Sequence, residues 1–475
     1  MTPGRVNLVL AVLVIAAMVM ILNETILSVA LPAIMTDFGV SADVVQWLST
    51  GFMLTMAIAI PTTGFLLQRF TTRALFLTAM ILFIVGTVMA ALAPTFPILL
   101  AGRVIQAGGT AIVLPLLMTV TLTLVAPERR GMMMGVNSIV ISVAPAVGPT
   151  ISGVVLNSLT WHWLFWIMVP IGVACLIAGF FLVVNASETT KVSFDVLSVV
   201  LSAIAFGGLV YGLSTINGFV TGGSFLPLTA VAVGLVFLVL FVWRQILLER
   251  SGRALLNMKP FKVRNFTFSM LVITMTFATM LGTVIVLPIY LQTSLLATAL
   301  VTGLVLLPGG LSQGVLAPFI GRIYDSVGPR PLVIPGTSLI LASQIWMWLG
   351  LSANSSIWIV IAMYVTFGMG MALIMTPMMA LSLASLPKQL YGHGSAIMNT
   401  LQQLGGAAGT AILIAAMTVG ALNASENGME ITAAQAAGTN GAFLAGVALA
   451  LIGFVASFFV KPLERTQVVA ATNPA

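Results

Sequence analysis

The sequence predicts an all-α integral membrane protein that crosses the bilayer fourteen times and keeps both ends of the chain in the cytoplasm. Three observations carry that prediction. Only 6% of the 475 residues are charged and 60% are hydrophobic, whereas a soluble domain carries about 25% charged residues. No water-facing surface can be assembled from this composition. The apolar residues fall into runs near the ~20 residues that span a hydrocarbon core. The basic residues sit in the breaks between runs, on alternate breaks only, which is a signature of membrane topology.

In chain order the runs are 7–33, 44–67, 74–93, 97–125, 131–156, 162–185, 194–216, 225–246, 266–291, 300–323, 331–351, 356–384, 394–420 and 440–460. The first follows Arg5 and far exceeds a signal peptide's apolar core of roughly 7–15 residues, so it reads as an uncleaved signal-anchor. Runs two and three are parted by Gln68-Arg69-Phe70-Thr71-Thr72-Arg73, and runs four and five by Ala126-Pro127-Glu128-Arg129-Arg130-Gly131. Runs eleven and twelve are parted by Ser352-Ala353-Asn354-Ser355-Ser356, again turn chemistry or charge. Runs seven and eight decide between fourteen spans and twelve. Both are fully apolar and long enough, and Asn217-Gly218 turns the chain between them.

With the N-terminus inside, cytoplasmic segments hold 17 of the 18 basic residues, among them Lys191, Arg250, Arg253 and Arg465, and outer loops hold none. The eighteenth is Arg103, inside a run. Outer loops carry the acids Asp37, Asp43, Glu426 and Glu430. Losing or adding one span would put later basic loops outside, so the count is even. The largest cytoplasmic connection, roughly Leu247 to Asn265, follows the eighth run. Six runs, then two, then six suggest a duplicated bundle with an inserted pair: residues 1–190, 191–264, and 265–475 with its short tail. Gly64–Arg73 after the second run is echoed by Gly321–Arg330 after the tenth. Parallel repeats of this kind place a substrate site near the midplane between the halves.

Composition also excludes function classes. The single cysteine, Cys175, lies in an apolar run and reads as a packed thiol rather than part of a disulfide framework. The net charge of +7 is spread over loops and forms no groove-reading surface, so no nucleic-acid partner is expected. His162 and His393 have no cysteine or carboxylate company at metal-ligand spacing, so neither metal nor cofactor is expected. The runs hold no paired carboxylates and no nucleophile–base cluster, which argues against a membrane enzyme.

Of 18 basic and 11 acidic side chains, only Glu24 and Arg103 lie deep in the runs. A charge at that depth marks a pathway or relay by default. Counted along their helices at 1.5 Å per residue, both sit roughly 9–12 Å below the outer surface. A carboxyl group in low dielectric holds its proton more tightly, and a nearby guanidinium opposes that. Two readings fit: a pairing that forms and breaks as the protein changes state, and a static ion pair. Asn23, one residue from Glu24, points about 100° away from it. It reads as a hydrogen-bond donor to substrate or to a neighbouring helix. Further polar candidates for a cavity are Gln46, Asn137, Gln292, Gln313, Asn399 and Gln402, although such residues more often bond neighbouring helices. The 27 Met and 26 Phe suit an adaptable apolar pocket, and simple lipid-facing bulk accounts for most of them. Gly148-Pro149 in the fifth run reads equally as a packing kink or as a kink that seals one side. Gly108-Gly109 and Gly405–Gly409 read as packing faces.

Several of these segments resemble the major facilitator superfamily. Gly321, Asp325, Gly328 and Arg330 are similar to its loop signature; the first-half copy departs from it, with Gln68 in the Asp place and Thr71 in the Gly place. Arg103-Val104-Ile105-Gln106-Ala107-Gly108 resembles the intramembrane Arg-x-x-Gln-Gly motif, with Ala107 at the Gly place. Gly148-Pro149-Thr150-Ile151-Ser152-Gly153 resembles the motif associated with antiporters. Leu22–Pro32, Trp161–Phe165 and Val169–Gly172 resemble the fourteen-helix drug:proton antiporters, the EmrB/QacA type. Asn23-Glu24-Thr25 together with Gln68–Arg73 resembles the branch containing lincomycin exporters, although the family often has Asp where this chain has Asn23.

The resemblance implies two six-helix bundles plus two inserted helices in a bacterial cytoplasmic membrane, working as a monomer. It implies a proton-coupled antiporter exporting small amphipathic drugs, cationic ones included, with the proton gradient as its energy source. Glu24 would then carry the proton beside Arg103. Gly148, Pro149 and Gly153 would form the antiporter motif, and Gly321, Arg322, Asp325, Gly328 and Arg330 a cytoplasmic gate. The competing reading is a proton-coupled importer or facilitator of a small nutrient.

Overall fold

Lipid offers no hydrogen-bond partner to the backbone, so a spanning chain must satisfy its own amides, and helices are one of only two ways to do so. The computed structural model takes that solution. It describes residues 3–40, 42–45, 47–185, 195–216, 219, 222–249 and 254–461. Gln46, the Asn217-Gly218 turn, and Lys191, Arg250, Arg253 and Arg465 lie outside the described residues.

The first half holds α1 (Pro3–Phe38), α2 (Trp47–Arg69), α3 (Thr72–Ala91), α4 (Phe96–Leu124) and α5 (Arg130–Leu156). It closes with α6 (His162–Leu182). Then come α7 (Val196–Ser214) and α8 (Leu226–Glu249). The second half holds α9 (Arg264–Thr293), α10 (Ala299–Val327), α11 (Arg330–Gly350), α12 (Ile357–Ala384), α13 (Tyr391–Glu426) and α14 (Ile431–Ser457). Among the described residues thirteen helices are long and apolar enough to cross a membrane, and α5 adds a further 27-residue helix beside them. The fold is all-α with two helical bundles.

Helix ends depart from the apolar runs where hydropathy and helix propensity disagree. The last run begins at 440, yet α14 begins at Ile431, because the intervening Thr432–Thr439 stretch is alanine-rich and alanine is the best helix former. α6 turns at Ile167, between Trp166 and Met168.

Helices do not associate in lipid through the hydrophobic effect; close packing of small residues supplies the attraction. α3 meets α4 where Gly86 faces the Gly102 carbonyl and Gly109 faces Ala79. α9 meets α13 at Gly405, Gly406 and Gly409, as the glycine-rich run suggests, whereas Gly108 has open space beside it. The inserted pair packs tightly on itself, Gly208 against Ala230 and Gly234, and α7 lies on both α2 and α13. At its start Asp195 caps α7 by accepting from the Ser198 amide. It also accepts from Arg244 of α8 at 2.8 and 2.9 Å. That bidentate contact, with help from Ser198, holds the Asp195 carboxyl down to about 2.

The two bundles meet along α5 and α10, and along α2 and α13. These seams are tightest at the end of the molecule where arginine and lysine gather, here termed the basic end. Gly131 packs on Gly321, and Gly135 on Ala317, each so close that a Cβ would strike the opposing backbone. Gly64 packs on His393 and Gly392 on Leu67.

Candidate functional site

Arg103 lies seven residues into α4 and is 0% exposed, a placement that costs several kcal/mol per ion unless the charge is well solvated by the protein. Its partners are all neutral. Nη1 donates to Asn23 Oδ1 at 2.6 Å and to Gln106 Oε1 at 2.9 Å, with the Asn23 carbonyl at 3.4 Å. Nε points at the Leu48 carbonyl, 3.5 Å away. The guanidinium carbon sits 4.2 Å from the centre of the Phe52 ring, a cation–π contact of about 2 kcal/mol or more when desolvated. Gln106 in turn donates to Thr87 at 2.9 Å. One arginine thereby ties α1, α2 and α4 together, and α3 through Gln106. Its Nη2 and the Asn23 Nδ2 have no partner among the described residues.

Glu24 is half-buried. Its carboxyl forms no hydrogen bond or ion pair among the described residues, although it lies within electrostatic reach of Arg103. The direct pairing that equal depth permits is therefore not made in this conformation. Asn23 occupies the guanidinium instead. On the other side of Glu24, Thr25 Oγ1 reaches across to the Ala144 carbonyl of α5 at 3.2 Å, and Gly148 packs against Thr25. The antiporter-like segment is thus adjacent to the acid. Gly153 is not part of that contact: it is exposed, with nothing within 4 Å of a Cβ built there. Pro149 lies in α5 beside Gly148.

The cavity candidates separate into those on the helices that form the seams and those elsewhere. Asn137, Gln313, Asn399 and Gln402 are buried on α5, α10 and α13, the helices that form the seams. Asn137 Nδ2 donates to Thr121 at 2.9 Å, and Asn399 Nδ2 to its own helix at the Ser395 carbonyl, 2.8 Å. Asn137 Oδ1, Gln313 Nε2 and Gln402 Nε2 have no partner among the described residues. Gln292 stands exposed one residue from the end of α9 and does not join them.

The expected gate residues divide between two tasks. Asp325 of α10 accepts from the Gly131 amide at 2.8 Å and the Met132 amide at 3.0 Å. It therefore caps the N-terminus of α5 in the opposite half, where the helix dipole favours an anion. Arg322 lies beside it, with Nε 3.3 Å from Met132 Sδ. Gly328 ends α10 at φ +78°, a conformation open to glycine at no steric cost. Arg330, grouped with Asp325 in the expected gate, donates to the Val460 and Phe458 carbonyls at 2.9 and 3.4 Å, capping α14. Second-half capping takes the arginine because α14 ends beside the start of α11.

Other contacts close the same end. Ser395 of α13 donates to the Pro115 carbonyl and sits 3.0 Å from Thr119 Oγ1 of α4. His393, also buried, accepts from the Asn257 amide at 3.3 Å, so the segment after α8 is held against α13. Sequence reasoning had no signal for this histidine's partner, nor for Thr87 or Phe52, since each contact joins different helices. Among the described residues no group of three or more His, Cys, Asp or Glu side chains is placed to hold a metal ion.

Two helical bundles joined at seams, with a lone acid and arginine deep in one of them, describe a secondary transporter, and the chain belongs to the Major Facilitator Superfamily, whose family model matches residues 13–410. It is 41% identical over 460 residues to the lincomycin resistance protein LmrB of Listeria innocua, covering 95% of this chain and 96% of that one. It is also 41% identical over 463 residues to an uncharacterized MFS-type transporter, YcnB, of Bacillus subtilis, covering 98% and 97%. Among solved structures, the human organic anion transporter MFSD10 superposes with a TM-score of 0.66 at 13% identity, over 97% of this chain and 100% of that one, a likeness of fold alone. The chain is a multi-pass protein of the bacterial cytoplasmic membrane, homologous to LmrB-type resistance transporters, and a transporter rather than an enzyme.

Proposed function

We propose that this protein is a proton-coupled antiporter that exports small amphipathic drugs from the cytoplasm or inner leaflet by alternating access, with Glu24 as the proton carrier. The observation that carries the reading is the setting of Glu24. It is the one acid deep in the spans, held between the residue that binds Arg103 and the residue on which Gly148 packs. Resistance to lincomycin in the name of a relative 41% identical across 95% of the chain supports export of antibiotics.

In this reading the chain has fourteen spans with both termini inside, and the basic end is cytoplasmic. Residues 1–190 and 265–475 are the moving halves, 191–264 is the insert, and the monomer is the working unit. The closed basic end leaves the proton and substrate sites to exchange with the outside. Protonation removes the charge of Glu24 and with it the attraction to Arg103; the halves then rock, and the proton is released inside. The unpartnered groups Asn137 Oδ1, Gln313 Nε2 and Gln402 Nε2 on the seam-forming helices would offer a substrate both acceptors and donors within a largely apolar wall.

The test uses inverted vesicles carrying an imposed proton gradient, acid inside, with a fluorescent report of luminal pH. Adding substrate should dissipate the gradient and load substrate into the lumen, which an importer would not do. Glu24→Gln, which keeps shape but cannot release a proton, should abolish both effects at matched abundance. Gradient loss on substrate addition equal to that of the parent would remove Glu24 as carrier.

A further inference from the structure

We infer that Asn23 is a positioning residue for proton coupling: its amide holds the Arg103 guanidinium by an uncharged contact and so keeps it from collapsing into an ion pair with Glu24. The inference rests on Glu24 as the carrier and adds how its charge partner is managed.

Four observations converge on it. Arg103 is wholly buried, a setting in which an arginine pairs with a carboxylate where one is available. A carboxylate is available one residue from its actual partner, yet Glu24 is unpaired among the described residues. The guanidinium is instead occupied by Asn23 Oδ1 at 2.6 Å, the shortest of its hydrogen bonds. Neighbouring positions on a helix face about 100° apart, so a guanidinium anchored at residue 23 is aimed away from residue 24. Asn23 itself is 1% exposed, out of competition from water.

Among the described residues no other charge supplies this effect. α1 packs against α2, α4, α5, α6 and the short Ala42–Val45 helix. On the four long helices the charged or titratable residues are Arg69, Arg103, Arg130, His162 and Cys175. Arg69 is the last residue of α2, Arg130 the first of α5 and His162 the first of α6. Cys175 is buried in α6. Asp43 belongs to the short helix beyond the outer end of α1, and α1 itself adds Arg5 and Asp37 near its two ends. Among the described residues, only Arg103 faces Glu24 at its depth.

The chemistry makes two variants move in opposite directions. Asn23→Asp keeps the shape and places a carboxylate on Arg103. The cation is then neutralised, Glu24 gains an anionic neighbour, and its protonated form persists to higher pH. Asn23→Ala releases the guanidinium, which is free to pair with Glu24 and favour the carboxylate. The experiment measures the pH dependence of substrate-driven gradient dissipation in vesicles for the parent, both variants, Glu24→Gln and the double variant Asn23→Asp/Glu24→Gln. The midpoint should rise by about one pH unit in Asn23→Asp and fall by about one in Asn23→Ala, the size that one nearby charge produces. The double variant should stay uncoupled.

A lowered rate with an unmoved midpoint in Asn23→Asp would reduce Asn23 to a structural tie and overturn the inference. Coupling in the double variant would overturn it as well, since an acid at position 23 would then act as a carrier. Either result leaves the Glu24 assignment standing provided that Glu24→Gln alone is uncoupled. Coupling in Glu24→Gln alone is the separate failure of the carrier itself.

Discussion

Asp325→Asn is the sharpest perturbation of the closed state. In the parent both carboxylate oxygens accept backbone amides of the opposite half, at 2.8 and 3.0 Å. The asparagine keeps one acceptor and turns the other into an NH₂ group facing an amide donor. Loss of one hydrogen bond to a charged group costs about 1.5–3 kcal/mol, and losing the anion at a helix N-terminus about 0.3–1 kcal/mol more. Taking about 2 kcal/mol for this half-buried group, the closed-to-open ratio at the basic end should fall roughly 30-fold, since each 1.4 kcal/mol is a factor of ten.

Ser395 offers the assay. It is fully buried at the seam and touches α4 of the other half. In a Cys175→Ala background, Ser395→Cys should react with a water-soluble thiol reagent only when the basic end opens. Adding Asp325→Asn should speed that labelling by up to roughly 30-fold, while membrane abundance stays near normal and transport falls. Labelling unchanged by Asp325→Asn would show that the two amide contacts do not hold the halves together.

Two further predictions follow from the packing. Gly135→Ala places a Cβ against the backbone of Ala317 and Pro318, where neither helix can yield alone. It should block closure, abolish transport and leave the position 395 thiol rapidly labelled; Gly153→Ala, with open space around it, should behave as the parent. The Asp195–Arg244 contact contributes about 1 kcal/mol or less, as a partly exposed pair. The Asp195 carboxyl is lowered to about 2, against an ordinary value of about 3.9, so this contribution is complete above about pH 4 and fades as pH falls toward 2. Arg244→Gln should lower Tm in detergent at neutral pH, with the gap to the parent narrowing below pH 4; a gap independent of pH would show that the ion pair is not its source.

The amino-acid sequence alone determined the membrane class, the spans and the isolation of Glu24 and Arg103, because burial in lipid is demanded residue by residue and reads directly as composition. It also suggested a repeat, through the echo of Gly64–Arg73 in Gly321–Arg330. It marked Asp325 as the acid to watch, but gave no indication that its partners are the Gly131 and Met132 amides, some 190 positions away. Arg330 went to the end of α14 and Arg103 to Asn23 for the same reason: a side chain's partner depends on the rotation of its helix and on which helix lies alongside. The seat of α7 across α2 and α13 was equally invisible, since an apolar face records that it is covered and not by what. Those choices are made by small residues that let particular helices approach, a property of pairs of surfaces that only the tertiary structure brings together.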